Sequence, residues 1–75
     1  MDIASAKKAN KHLKIKATKD GKSCGFVKKI DYESGEVHLT SDKEFALGYE
    51  TEDEVQYDID YLTKIYFESG YIFTY

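Results

Sequence analysis

The stretch at residues 51–66, TEDEVQYDIDYLTKIY, carries the strongest secondary-structure signal in this chain. It begins with the pattern of a capping box, in which the Thr51 hydroxyl can accept from the backbone N–H of Glu54 and the Glu54 carboxylate can reach back to the cap. An apolar stripe with helical spacing follows: Val55, Ile59, Leu62 and Tyr66. These features predict an amphipathic helix that packs on a sheet and that Ser69-Gly70 terminates.

Outward from this helix, alternation of apolar and polar residues predicts strands. Three strands precede the helix and one aromatic-rich strand follows it, at residues 12–18, 23–31, 36–40 and 71–75. Asp20-Gly21 predicts a tight hairpin between the first two strands, because both positions tolerate positive φ. In the second strand Cys24 and Phe26 share one face, with Cys24 expected in the core, and Val27 takes the other face. A bulge near Lys28-Lys29, or a strand partly covered on both faces, would reconcile this pattern.

The predicted fold is α+β, with a small antiparallel sheet (β-β-β-α-β) and one main helix packed on one face. A capped helical turn is expected after the third strand, around residues 41–47, and Gly48 would close it. Residues 1–75 are expected to form a single domain, with residues 1–10 as a frayed basic N-terminal arm. The final strand could pair with either edge of the meander, so strand order stays open.

The two halves of the chain carry opposite charge. Residues 1–30 hold nine lysines against Asp2 and Asp20, whereas residues 31–75 hold twelve Asp or Glu against Lys43 and Lys64. The net charge of −3 therefore hides a strong charge asymmetry. Such an asymmetry acts on encounter rates and partner choice, so it favours a binding function. The basic residues are all lysine, which argues against arginine-mediated, sequence-specific readout of nucleic acid.

The residues that could supply nucleophilic or metal chemistry are few. Cys24 is expected to face the core, and His12 and His38 are expected to point outward, so these three side chains should not converge. Their spacing also lacks a paired metal-ligand motif. We therefore expect no enzyme activity, no catalytic residue, no metal site and no cofactor.

The cysteine content and hydropathy pattern suggest a compartment. One cysteine excludes an internal disulfide framework and fits a reducing environment. The first residues lack the basic-then-apolar pattern of a secretion signal. The longest uncharged stretch, residues 69–75, is far shorter than the roughly 20 residues that span a bilayer. We expect a cytoplasmic protein without membrane association.

The outer face of the helix is the first candidate binding surface. It combines two tyrosines with acidic residues and one lysine: Asp53, Glu54, Tyr57, Asp60, Tyr61 and Lys64. Tyrosine is enriched at binding hot spots, and the carboxylates would steer a protein partner that has a basic surface. The alternative is that Tyr57 and Tyr61 form an ordinary i, i+4 pair on a solvated face.

A lysine-rich face of the sheet is the second candidate surface. It would use Lys14, Lys16, Lys28 and Lys29 to attract the phosphates of a nucleic acid. The alternative is that these lysines discourage edge-to-edge aggregation of exposed strands. A third hypothesis concerns residues 71–75, which could pair with a second copy of the same strand and form a homodimer.

The stretch at residues 35–49, GEVHLTSDKEFALGY, followed by a capped acidic helix, resembles small accessory proteins of phages and other mobile elements. In that layout a strand ending in Thr, an Asp, an Ala and an aromatic residue lead into a helix. The resemblance carries no catalytic residues. It implies a host-modulating or anti-defence factor, such as an inhibitor of a host nuclease or defence protein, acting in the host cytoplasm. Some such inhibitors present acidic surfaces in place of DNA phosphates.

Overall fold

A four-stranded antiparallel sheet with one main helix forms the fold, as predicted. The computed structural model describes residues 12–75, so the predicted arm at residues 1–10 lies outside the described residues. The strands are β1 (Lys16–Lys19), β2 (Lys22–Asp31), β3 (Glu36–Thr40) and β4 (Tyr71–Thr74). A 3₁₀ turn (Lys43–Phe45) and the helix α1 (Glu52–Ile65) lie between β3 and β4. The strand order is β3-β2-β1-β4, so the last strand pairs with the first.

The β1–β2 hairpin turns at Asp20-Gly21, as the sequence predicts. Both residues have positive φ, 53° for Asp20 and 82° for Gly21. Lys19 pairs with Lys22 across the loop, which leaves two loop residues and matches a tight type I′ geometry. β1 is shorter than predicted, but the expected core residues Ile15 and Ala17 are both fully buried.

β2 contains two irregularities, and the second is the predicted bulge near Lys28-Lys29. Against β3, Val27 pairs with Leu39 and Lys29 with His38, so one extra residue lies on β2. Against β1, the register also shifts between Ala17 and Thr18. Ala17 pairs with Gly25 and Thr18 with Ser23, so Cys24 is an extra residue on β2. From Gly25 onward, the side chains of β2 therefore lie on the opposite face from the one that uninterrupted alternation from Cys24 predicts.

Val27 is fully buried in the core, contrary to the expectation that it lies on the other face. Phe26 pairs with Lys16, a neighbour of buried Ala17, and therefore lies on the outer face of the sheet. The prediction that Phe26 shares a face with Cys24 is wrong, because the additional irregularity separates them along the strand. Cys24 is half-buried and packs against the core.

The helix α1 begins with the predicted capping box. The Thr51 hydroxyl accepts from the Glu54 N–H at 3.2 Å, and the Glu54 carboxylate accepts from the Thr51 N–H at 3.3 Å. Val55, Ile59 and Leu62 are buried against the sheet. The helix ends at Ile65 with Tyr66 as its C-cap, earlier than the predicted stop at Ser69-Gly70, and a turn over residues 66–70 leads to β4.

β4 lies at an edge of the sheet. Phe73 pairs with Ala17 and is buried, whereas Ile72 is 60% exposed. Within residues 12–75, β4 is hydrogen-bonded to a strand on one side only, which is the arrangement that a β4–β4 homodimer requires. Self-association through residues 71–75 stays a prediction.

Within residues 12–75, no helix has both the length and the apolar character required to cross a membrane.

Candidate functional site

A buried carboxylate, Asp58, organises the most distinctive polar cluster in the described part of the chain. Its side chain lies on the sheet-facing side of α1 and only 6% of the residue is exposed. The Tyr49 hydroxyl donates to Asp58 Oδ2 at 2.5 Å, and the Tyr32 hydroxyl donates to Oδ1 at 2.7 Å. Both carboxylate oxygens therefore have a partner, as a buried charge requires.

Two loops bring these tyrosines to the helix. Tyr32 begins the turn after β2, where Asp31 Oδ1 accepts from the backbone N–H groups of Ser34 and Glu33. These hydrogen bonds, with that of Ser34 the strongest influence, hold the pKa of Asp31 below its usual value.

Tyr49 is fixed by an isolated β-bridge to Leu13 on the other side of the site. The Tyr49 N–H donates to the Leu13 carbonyl at 2.9 Å, and the Leu13 N–H donates back at 3.3 Å. The phenol of Tyr49 is therefore held between the sheet and the first turns of α1.

The hydroxyls of Tyr49 and Tyr32 are held in their protonated form. Burial, followed by the hydrogen bond to Asp58 and the charge of that carboxylate, raises the pKa of Tyr49 well above its ordinary value. The same causes raise the pKa of Tyr32, although the residue as a whole is 53% exposed. The Tyr49 hydroxyl is the more strongly shielded of the two, because only 8% of that residue is exposed.

An open cleft of about 670 Å³ lies directly over this cluster. Its walls combine aromatic and acidic side chains with one glycine: Tyr32, Gly48, Tyr49, Glu50, Asp53, Glu54, Tyr57 and Asp58. No lysine or histidine is among these lining residues. Asp58 is committed to the tyrosines and Glu54 to the helix cap, so Glu50 and Asp53 are the carboxylates most available to a ligand. The ring of Tyr57, 73% exposed, stands at the rim.

The predicted helix-face residues separate into two groups. Asp53, Glu54 and Tyr57 come together in the cleft. Asp60 and Lys64 are exposed farther along α1, where Asp60 Oδ1 accepts from Gln56 Nε2 at 2.8 Å.

Tyr61 has a different environment from Tyr57. Its ring packs on Tyr32 with a centroid distance of 5.1 Å, and its hydroxyl donates to the Tyr32 carbonyl at 3.1 Å. Tyr61 therefore supports the position of Tyr32, and Tyr57 is the tyrosine of the pair that projects into solvent.

The predicted lysine-face residues also differ from one another. Lys16, Lys28 and Lys29 are exposed on the sheet. Lys14 is half-buried, and its Nζ donates to the Ala46 carbonyl at 3.3 Å. Phe26 lies on the same face as Lys16 and was not expected there.

Cys24 and His38 lie in separate environments. Cys24 Sγ donates to the Lys22 carbonyl at 3.7 Å. Exposed His38 has Nε2 at 3.8 Å from a Glu36 carboxylate oxygen. Within residues 12–75, no three His, Cys, Asp or Glu side chains group as metal ligands do.

Asp58, Tyr32 and Tyr49 are site residues that the sequence analysis missed. One signal was present: Asp58 lies three residues after Val55 and four before Leu62, so a charged residue interrupts the apolar stripe of the helix. A carboxylate at such a position needs buried donors. The sequence does not indicate which tyrosines supply them.

No protein-family model, curated protein or solved structure matches this chain.

Proposed function

We propose that this protein is a non-enzymatic binding module whose cleft over Asp58 docks on a basic surface of a protein partner. The observation that carries this proposal is that Glu50, Asp53 and the exposed ring of Tyr57 line the same open cleft. A lysine or arginine side chain of the partner fits this chemistry, because it can contact carboxylates and an aromatic face together.

The buried hydrogen bonds beneath the cleft support such a role. Tyr49 and Tyr32 are both held by Asp58, and Tyr32 is held again by Tyr61. Walls fixed before binding reduce the entropy that an incoming partner must overcome. Tyr57 adds a large contact area at low conformational cost.

The charge of the helix adds long-range attraction. The first turn of α1 carries Glu52, Asp53 and Glu54, and Glu50 precedes it. Such a local negative field increases encounter rates with a basic partner and makes them sensitive to salt. The resemblance to phage accessory proteins makes host nucleases and defence proteins with basic surfaces the partners to test first.

The test is a titration of the isotope-labelled protein with a short lysine- and arginine-containing peptide, followed by nuclear magnetic resonance. We expect saturable shifts centred on residues 48–58, and we expect Tyr57→Ala to weaken binding about tenfold or more. Phe67→Ala is the matched control, because Phe67 is equally exposed at 73% and does not line the cleft. Equal losses for the two variants, or shifts spread over the surface without saturation, would refute the proposal.

A further inference from the structure

The face of the sheet opposite α1 carries a row of side chains across all four strands. Thr40 pairs with Phe26, Phe26 with Lys16, and Lys16 with Thr74. The next residues along three of these strands are buried against the helix side: Ala17, Val27 and Phe73. Because successive side chains alternate between faces, the row Thr40–Phe26–Lys16–Thr74 faces away from the helix.

Basic residues surround this row. Lys29 pairs with His38 one step along β2 and β3, and both are exposed on the outer face. Lys28 is the extra residue of the bulge between Val27 and Lys29, and it is also exposed. The acidic first turn of α1 lies on the other side of the sheet. Asp31 and Glu36 pair at the far end of β2 and β3, beyond the row, and Glu36 lies next to His38 there.

The central aromatic residue distinguishes this face from a plain lysine surface. Phe26 is only partly buried, and it occupies a central strand between Lys16 and Thr40. Proteins that bind single strands combine a basic track for phosphates with an aromatic ring on which a base stacks. A base paired within a duplex has no free face for such stacking, so this arrangement selects single strands.

We infer that the outer sheet face binds a segment of single-stranded nucleic acid, with a base stacked on Phe26 and phosphates contacted by Lys16, Lys28 and Lys29. The chain lacks arginine, which supplies most bidentate contacts to base edges, so binding is tolerant of sequence. This surface is separate from the cleft, and the two can be occupied independently.

Fluorescence anisotropy with labelled oligo(U), oligo(dT) and a mixed-sequence duplex tests the inference and distinguishes RNA from DNA. We expect the full chain to bind at least one single strand more tightly than the duplex. Three phosphate contacts predict about a 20-fold loss of affinity between about 50 and 200 mM salt. Absence of binding at the lower salt concentration, or equal affinity for the duplex, would overturn the inference.

Variants assign the binding to this face. Phe26→Leu keeps an apolar side chain but removes the stacking ring, and we expect an affinity loss on the order of tenfold. Lys16 and Lys29 are exposed and do not contribute to the core. Lys16→Gln and Lys29→Gln should each lower the slope of log affinity against log salt concentration by the contribution of one phosphate contact. Lys64→Gln on the helix is the matched control and should change neither quantity.

The two proposals fail separately. Tyr57→Ala should leave nucleic-acid affinity unchanged, and Phe26→Leu should leave peptide binding at the cleft unchanged. If Phe26→Leu binds single strands as tightly as the unchanged protein, the lysines attract phosphates without a stacking platform and the inference is wrong.

Discussion

Asp58 is buried in the apolar face of α1, accepts hydrogen bonds from two tyrosines and lines the cleft. It interrupts the apolar stripe of α1, yet the two tyrosine hydroxyls allow it to remain buried. Hydrogen bonds to a charged group are stronger than those between neutral groups, and their loss leaves buried donors unpaired. The same contacts set the positions of Tyr32 and Tyr49 in the walls of the cleft.

We expect Asp58→Ala to lower the free energy of unfolding by about 2–3 kcal/mol, because it leaves the buried Tyr49 hydroxyl without its acceptor. Urea unfolding monitored by circular dichroism measures this change. Asp60→Ala is the control, since Asp60 is exposed two residues away, and it should change stability by no more than about 0.5 kcal/mol. Similar effects of the two substitutions would contradict a structural role for the Asp58 cluster.

At the scale of elements, the close approach of β2 to the end of β3 depends on one glycine. Gly25 has a φ of 100°, and a Cβ added there would lie 2.5 Å from the Thr40 carbonyl oxygen. Gly21 in the hairpin also has a positive φ, 82°, but a Cβ added there would meet no atom within 4 Å. Substitution of Gly21 therefore introduces backbone strain alone, whereas substitution of Gly25 introduces both strain and a steric collision.

We expect Gly21→Ala to cost about 1 kcal/mol of stability, because it introduces strain alone. Gly25→Ala should cost at least about 2 kcal/mol, because strain and a backbone collision add. Thermal unfolding of both variants checks the order. If Gly25→Ala proved as stable as Gly21→Ala, β2 and β3 would not be held together as closely as the structure shows.

The sequence predicts those elements whose signals are local. The Asp20-Gly21 hairpin, the bulge near Lys28-Lys29 and the capping box at Thr51 each depend on a few neighbouring residues, and each is confirmed. The outward position of Phe26 depends on a second register shift against β1, and the strand pattern alone does not reveal it.

Contacts between residues that are distant in sequence likewise cannot be predicted from a local pattern. Tyr32 and Tyr49 meet Asp58 across 26 and 9 residues, respectively, and the pairing of β4 with β1 joins positions still farther apart. The helix-face pattern identified Asp53, Glu54 and Tyr57, but it could not show that loops close a cleft around them.

At the scale of the whole molecule, the sheet divides two surfaces of opposite character. The acidic cleft lies on the helix side and the lysines around Phe26 lie on the other side. Salt should weaken binding at both surfaces, because each relies on charge. The cleft should attract positively charged ligands and the lysines around Phe26 negatively charged ones, so a ligand of one surface should not compete for the other.

Global stability should decrease at alkaline pH because of the Asp58 cluster. The folded-state pKa of Tyr49 is raised above the ordinary value of 10.0, so the unfolded chain loses this proton first. The folded state then holds more protons than the unfolded state, and the stabilisation, complete below pH 10, is lost as the pH rises further.

Urea unfolding at a series of alkaline pH values measures this dependence, and near-ultraviolet phenolate absorbance follows ionisation directly. We expect Tyr49→Phe to flatten the decline, at the cost of lower stability near neutral pH. Tyr57→Phe is the matched control, because it removes a phenol and keeps both hydrogen bonds to Asp58; it should retain the decline. An unchanged slope in Tyr49→Phe would contradict the assignment.

The strand order β3-β2-β1-β4 has a consequence for how the chain acquires its structure in time. The meander of β1, β2 and β3 closes through short loops, whereas the pairing of β4 with β1 joins distant positions: the Thr18 hydroxyl donates to the Ile72 carbonyl across 54 residues. Closing this long interval costs more entropy than closing a hairpin, so it belongs to a later step of folding. Among residues 12–75, β1 therefore has one unpaired edge until Tyr71–Thr74 pairs with it, and we expect strand exchange with another copy to be easiest over that interval.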